Sequence, residues 1–193
     1  MQPKHIASAV LGAVALLVPA SAQTKKATYI SSDEVQAYLK RAEGAVNDHQ
    51  IRTVALDKGN VAIAVVYRGK LAAPAKQAVA EHNQVSEVYH VIDGSATLMT
   101  GAEIVDLKPR PADDRAVRLL TGPGGNGASI RNGATQQLKA GDVVIIPAGV
   151  GHLFTRIDDH IRYLVVRLDP DRVAPLKDEA ASKADLASGG RGN

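Results

Sequence analysis

The sequence predicts an all-β domain preceded by one short helix and followed by a loose tail, and three stretches carry that prediction. The first, GDVVIIPAGVGHLFTR at residues 141–156, sets a Gly-Asp turn ahead of four β-branched residues, Val143, Val144, Ile145 and Ile146, whose stiff side chains suit a pleated sheet. Pro147 would break any helix drawn through them, so the run reads as a buried strand that ends there. The second, residues 61–66, reads Val-Ala-Ile-Ala-Val-Val and is apolar on both faces, as a central strand is. The third is Asp93-Gly94 between the alternating segments 87–92 and 95–100, a pair that favours a two-residue type I′ hairpin turn.

The length of 193 residues, with 45% hydrophobic and 22% charged residues, suits one globular domain with a sizeable core. Residues 1–22 read as an export signal: Lys4 supplies the positive charge, residues 6–18 the apolar run, and Ala20-Ser21-Ala22 the small-x-small cleavage site. That run is shorter than the ~20 residues that cross a bilayer. A cleaved signal is therefore expected, leaving a periplasmic or secreted chain that begins at Gln23 and has no membrane span. Losing Lys4 takes the formal charge from +3 to +2, and the absence of cysteine leaves the fold to rest on its core. The basic residues are spread along the chain, and one Phe, five Tyr and no Trp offer no base-stacking platform, so nucleic-acid binding is excluded.

Residues 23–59 are expected to hold the helix and the first strand. Ser31 or Ser32 caps a helix over 33–42, with Asp33 and Glu34 in its first turn, Val35, Tyr38 and Leu39 as its apolar stripe, and Gly44 past its end. Strands follow at 50–56 and 60–67, joined at Asp57-Lys58-Gly59, and 69–78 reads as a connection. Alternation along 87–92 puts Glu87, Tyr89 and Val91 on one face and Val88, His90 and Ile92 on the other. If Glu87 faces inward, His90 faces out, and Val88 with Ile92 form an outer apolar patch suited to a homodimer contact. Residues 105–128, including the glycine-rich 121–127, read as a long flexible loop placed as a lid. No Gly-Lys-Ser/Thr ending or helix signal follows those glycines, which excludes a phosphate loop. Asn132-Gly133 reads as a turn. Past Pro147, Gly149 and Gly151 turn the chain into a strand with His152 and Phe154 on one face. Asp158-Asp159 is a turn that leaves His160 exposed, 161–168 is the last strand, and 169–193 is the loose tail, with a short helix at most.

The spacing of Gly141, Pro147-x-Gly149 and His152 resembles the second motif of the cupin family. The stretch AEHNQVSEVYHVIDG at 80–94, with His82, Glu87 and Gly94, resembles its first. The resemblance covers residues 60–168 and implies a single jelly-roll β-barrel in which the two motifs supply three histidines and one glutamate to a central metal. Ala80 stands where the first histidine is usual, so His82, Glu87 and His152 carry over as metal ligands, with Asn83 or Gln84 as weaker candidates for a fourth donor. Two imidazoles and one carboxylate are the donor set of an open non-haem Fe(II) site, and Mn, Ni or Zn are compatible with it. An empty barrel whose histidines only hydrogen-bond stays open as the alternative. Tyr89 shares the face of Glu87 and is a candidate catalytic proton donor or base, or simply core. The resemblance implies a small organic molecule held in the barrel. Function stays divided between a metal-dependent oxygenase or lyase/isomerase and a non-catalytic binding or sensing module, because barrel-wall side chains choose the chemistry.

Overall fold

The computed structural model describes residues 26–189; the expected signal segment, residues 1–22, lies outside them. Helix α1 (Ser32–Ala42) starts where the Ser31 hydroxyl accepts the Glu34 amide at 3.1 Å. β1 (Asp48–Leu56) and β2 (Gly59–Arg68) form an antiparallel hairpin closed by Asp57 and Lys58. Then come β3 (Val79–His82), β4 (Ser86–Gly101), β5 (Glu103–Val105), β6 (Lys108–Pro109) and a π-helical turn (Val117–Thr121). β7 (Gly124–Gly127), β8 (Ser129–Arg131), β9 (Ala134–Lys139), β10 (Val143–Ile146), β11 (Gly151–Arg156), β12 (Ile161–Asp169) and helix α2 (Glu179–Ala187) complete the order.

The strands curl into one jelly-roll barrel made of two sheets that share β4. The first half of β4 pairs with β12 and β10, and β2 and β1 continue beyond β12. Its second half pairs with β11 and β9, and β3, β7 and β6 continue beyond β11. Tyr89, Val91, Leu98, Phe154, Tyr163 and Val165 fill the interior. On the outer face of the first sheet, α1 covers Ile51 and Val65 with Tyr38 and Leu39, a second apolar cluster. No helix among the described residues is long and apolar enough to cross a membrane.

Several expectations change. Asp93-Gly94 is not a hairpin turn, because β4 runs straight through it. Opposite β12 the register slips between Val91, which faces Tyr163, and Asp93, which faces Arg162. Ile92 is thus the extra residue of a β-bulge that bends the strand from one sheet into the other. Gly94 sits there at φ +77, and a Cβ would stand 2.1 Å from the His160 carbonyl oxygen. The bulge also shifts the inward parity, from Glu87, Tyr89 and Val91 before it to Ala96 and Leu98 after it.

Nor is Ile92 part of a free outer patch: it packs into the cluster under α1. Strand β10 is not buried on both faces either. Ile146 is 3% exposed, but Val143 is 60% and Ile145 70% exposed, since β10 pairs only with β4 and its outer face is uncovered. Residues 105–128 are not a flexible loop, because their glycines form β7, hydrogen-bonded to β3. A Cβ on Gly124 would lie 2.3 Å from the Glu81 carbonyl oxygen and one on Gly127 would lie 2.2 Å from Ile104 Cγ2, so close packing explains that run. Finally, the tail is docked through α2. The Tyr38 hydroxyl donates to the Ser182 carbonyl at 2.9 Å, and Arg41 pairs with Asp185 at 2.9 Å.

Candidate metal centre

His82 ends β3, Glu87 lies at the start of β4, and His152 lies at the start of β11. Two contacts of the Pro147–Gly149 corner bring these three strand ends together. The Gly149 amide donates to the His82 carbonyl at 2.8 Å, and the Ala148 amide donates to the Ser86 hydroxyl at 3.0 Å. Gly149 takes φ +78 to make that corner. The second motif is therefore tied by its own backbone to the first at His82 and at Ser86, just before Glu87.

His82 Nε2 stands 3.5 Å and His152 Nε2 3.6 Å from Glu87 Oε2. All three ligand atoms lie within 4.8 Å of one another, and the residues are 9%, 7% and 2% exposed. Those separations are long for hydrogen bonds. They are close to the spacing of two donors that each lie about 2.0–2.2 Å from one shared ion. His152 Nδ1 is 3.2 Å from the Val150 carbonyl oxygen; a proton held there leaves the Nε2 lone pair facing Glu87. His82 Nδ1 has no hydrogen-bond partner among the described residues, so no such contact fixes that ring as Val150 does for His152. On these observations the donor set fits a divalent metal.

Burial pushes the Glu87 carboxyl up, but the nearby His82 ring and the Arg167 charge outweigh that and hold it well below the usual carboxylate range. Burial pushes His152 down to about 4, against the pull of Glu87, so the imidazole is neutral at pH 7, as a metal ligand must be. Burial first, and the Glu87 charge second, push the Tyr89 phenol well above its ordinary value. Tyr89 therefore keeps its proton and donates it to Glu87 Oε2 at 2.9 Å.

Sequence reasoning missed Arg167. It is 2% exposed; Nε donates to Glu87 Oε1 at 2.9 Å, Nη1 to Gln50 Oε1 at 2.8 Å, and Nη2 to the Asp48 carboxylate. The signal was present in β12, where Ile161, Tyr163 and Val165 point inward and parity carries Arg167 inward too. A charge at an inward strand position requires a buried counter-charge. Ala80 lies two residues before His82 on β3, paired with His152 and Asn126, and offers no donor where the first histidine would stand. Asn83 is exposed and Gln84 half-buried. His90 is exposed on the outer face of β4, and His160 is half-buried between Asp93 and Asp159.

Residues 123–186 match the family described as AraC-like ligand binding domain, a stretch that holds His152 and Arg167 but neither His82 nor Glu87. No curated protein matches the sequence. Among solved structures, the chain is similar to the protein BH2720 of Bacillus halodurans at 11% identity, covering 84% of this chain and 98% of that one with a TM-score of 0.43. It is similar to the DMSP lyase DddQ of Ruegeria pomeroyi at 18% identity, covering 67% of this chain and 49% of the lyase, TM-score 0.38. It is also similar to the cupin domain of Schizosaccharomyces pombe Cnp3 at 12% identity, covering 63% of this chain and 64% of that one, TM-score 0.37.

Proposed function

We propose that this jelly-roll barrel is a cupin-type domain that binds a divalent metal through His82, Glu87 and His152 and holds a small organic molecule. The observation that supports this most is the convergence of two imidazole nitrogens and one carboxylate oxygen, from three strands, on one buried point. Iron(II) is the metal this donor set favours, with Mn, Ni or Zn as alternatives. A bound ion would supply Lewis acidity or, for iron, redox chemistry. The residues of the chain orient the site. Arg167 and Tyr89 fix the two oxygens of Glu87, Val150 fixes the His152 ring, and the apolar half of the barrel around Leu98 and Phe154 keeps water out. Three protein ligands leave positions for a substrate, which suits an oxygenase or a lyase/isomerase. The matched family description, a ligand binding domain, favours the non-catalytic binding or sensing module instead. Support for export comes from Lys4, the apolar run and Ala20-Ser21-Ala22. Support for a homodimer comes from the exposed Val143 and Ile145.

Elemental analysis of the purified mature protein tests the metal. About one divalent ion per chain is expected, lost in both His82→Ala and His152→Ala, held more weakly in Glu87→Gln, and retained in His90→Ala. Retention in His152→Ala with loss in His90→Ala would place the metal on the opposite face of β4 and end this reading.

A further inference from the structure

A cavity of about 460 Å³ lies outside the barrel, bounded by the end of α1, β1, the π-helical turn and the segment that leads into α2. Gln50 forms part of its wall, and Gln50 and Arg167 stand in line between it and Glu87. Its volume falls in the range of small-molecule sites, about 300–1,000 Å³. Val46, Leu119, Leu120 and Pro175 supply an apolar wall. Leu119 and Leu120 come from the π-helical turn, a rare geometry that occurs often at functional sites.

The polar side of the cavity is unbalanced. Asp185 is its one lining carboxylate among the described residues, and it is shared by Arg41, at 2.9 Å, and Lys177. Lys177 spends its remaining donors on the Gln50 carbonyl and the Tyr38 hydroxyl. Arg115, the third lining cation, donates through Nη2 to the Asp48 backbone oxygen at 3.0 Å and has no carboxylate partner among the described residues. Three cations around one carboxylate leave a net positive charge beside an apolar wall. His49, also in the lining, adds no negative charge and hydrogen-bonds the Val46 carbonyl oxygen through Nε2 at 2.8 Å.

We propose that this cavity binds a small organic anion with an apolar body, of the aryl or medium-chain carboxylate class, with Arg115 as the anchoring cation. The apolar portion lies against Leu119, Leu120 and Val46 while the anionic group meets the guanidinium, whose planar fork suits a carboxylate. The site is independent of the metal centre.

The test uses the mature chain and the fluorescent probe 8-anilinonaphthalene-1-sulfonate, competed by benzoate and octanoate. One probe molecule per chain is expected, displaced by either carboxylate, with affinity unchanged by chelator or by His152→Ala. Arg115→Glu should weaken binding at least tenfold and Arg115→Gln at least threefold, while Arg115→Lys stays nearer the parent; circular dichroism and thermal melts verify that each variant is folded. Binding equal in the parent and in Arg115→Glu overturns the proposal, as does the absence of any binding. Probe lost on chelation or in His152→Ala would sit in the barrel, which also overturns it and leaves the metal reading standing.

Discussion

Replacing Arg167 by Met should destabilise the metal-free protein and should do so in a way that reports on Glu87. The two side chains are each 2% exposed and meet at 2.9 Å, and Arg167 also binds Gln50 and Asp48. Met fills most of the volume, so the cost comes from stranding a carboxylate away from water, about 3–5 kcal/mol for a broken buried pair. For a chain of this size that is a fall in Tm of about 6–20 °C. The sign of the pH dependence follows. In the parent the folded Glu87 carboxyl is held low, so its stabilising contribution is present above the ordinary carboxyl range and is lost only as pH falls through the lower folded value. Without Arg167 burial dominates and the folded carboxyl rises, so lowering pH from 7 to 5 should recover part of the lost stability by protonating Glu87. Urea denaturation of the chelated protein at several pH values measures this, with Arg167→Lys as the variant that keeps the charge. A loss under about 1 kcal/mol, or one identical at pH 7 and pH 5, would refute the claim that this pair sets the charge state of the site.

His152 makes its own prediction for the metal-free protein. Its folded value of about 4 against an ordinary 6.5 means that the folded state binds fewer protons in that window, so stability is complete above pH 6.5 and declines toward pH 4 by about 3 kcal/mol. His152→Asn should flatten that slope, and an unchanged slope would assign it to another group. At micromolar concentration, size exclusion should find a dimer that Val143→Lys combined with Ile145→Lys converts to monomer; a monomeric parent, or a dimer indifferent to the pair, removes β10 from the interface. Intact mass of exported material should show a chain starting at Gln23, and retention of Met1 would contradict the signal reading.

The residues of the candidate metal centre were legible because each motif joins a possible donor to a backbone device: the Pro147–Gly149 corner beside His152, and the strand parity that separates Glu87 from His90. The parity held because no bulge intervenes between Glu87 and Val91. It misled one residue later. Asp93-Gly94 carries the local chemistry of a hairpin turn, yet the barrel uses the permissive Gly94 for a bulge, and only the distant partner β12 decides between the two. The glycines of β7 misled for a related reason. Gly reads as flexibility in a single sequence, whereas here Gly124 makes room for Glu81, Gly125 for Leu107 and Gly127 for Ile104, residues far away along the chain. The docked α2 has a weak apolar stripe and is held instead by Asp185 and Ser182 reaching Arg41, Lys177 and Tyr38, pairings that no local pattern announces.

The charge balance of the centre explains how a site containing a buried arginine remains suited to a cation. Arg167 taken with Glu87 alone would be a neutral pair whose negative end, Oε2, faces the histidines. The guanidinium, however, divides its fork between Glu87 and Asp48, so the three side chains together carry a net charge of −1. His152 is neutral at pH 7, and the cations that bear on this cluster are Arg167 by direct contact and Arg68 through space. Geometry directs the charge to the right atom. Arg167 holds Oε1, which leaves Oε2 as the oxygen turned toward both histidines. Tyr89 donates to that same Oε2, so the phenol keeps the oxygen oriented without adding charge. In a barrel that has Ala80 in place of a third imidazole, this remote carboxylate at Asp48 supplies electrostatic support that a further neutral donor could not.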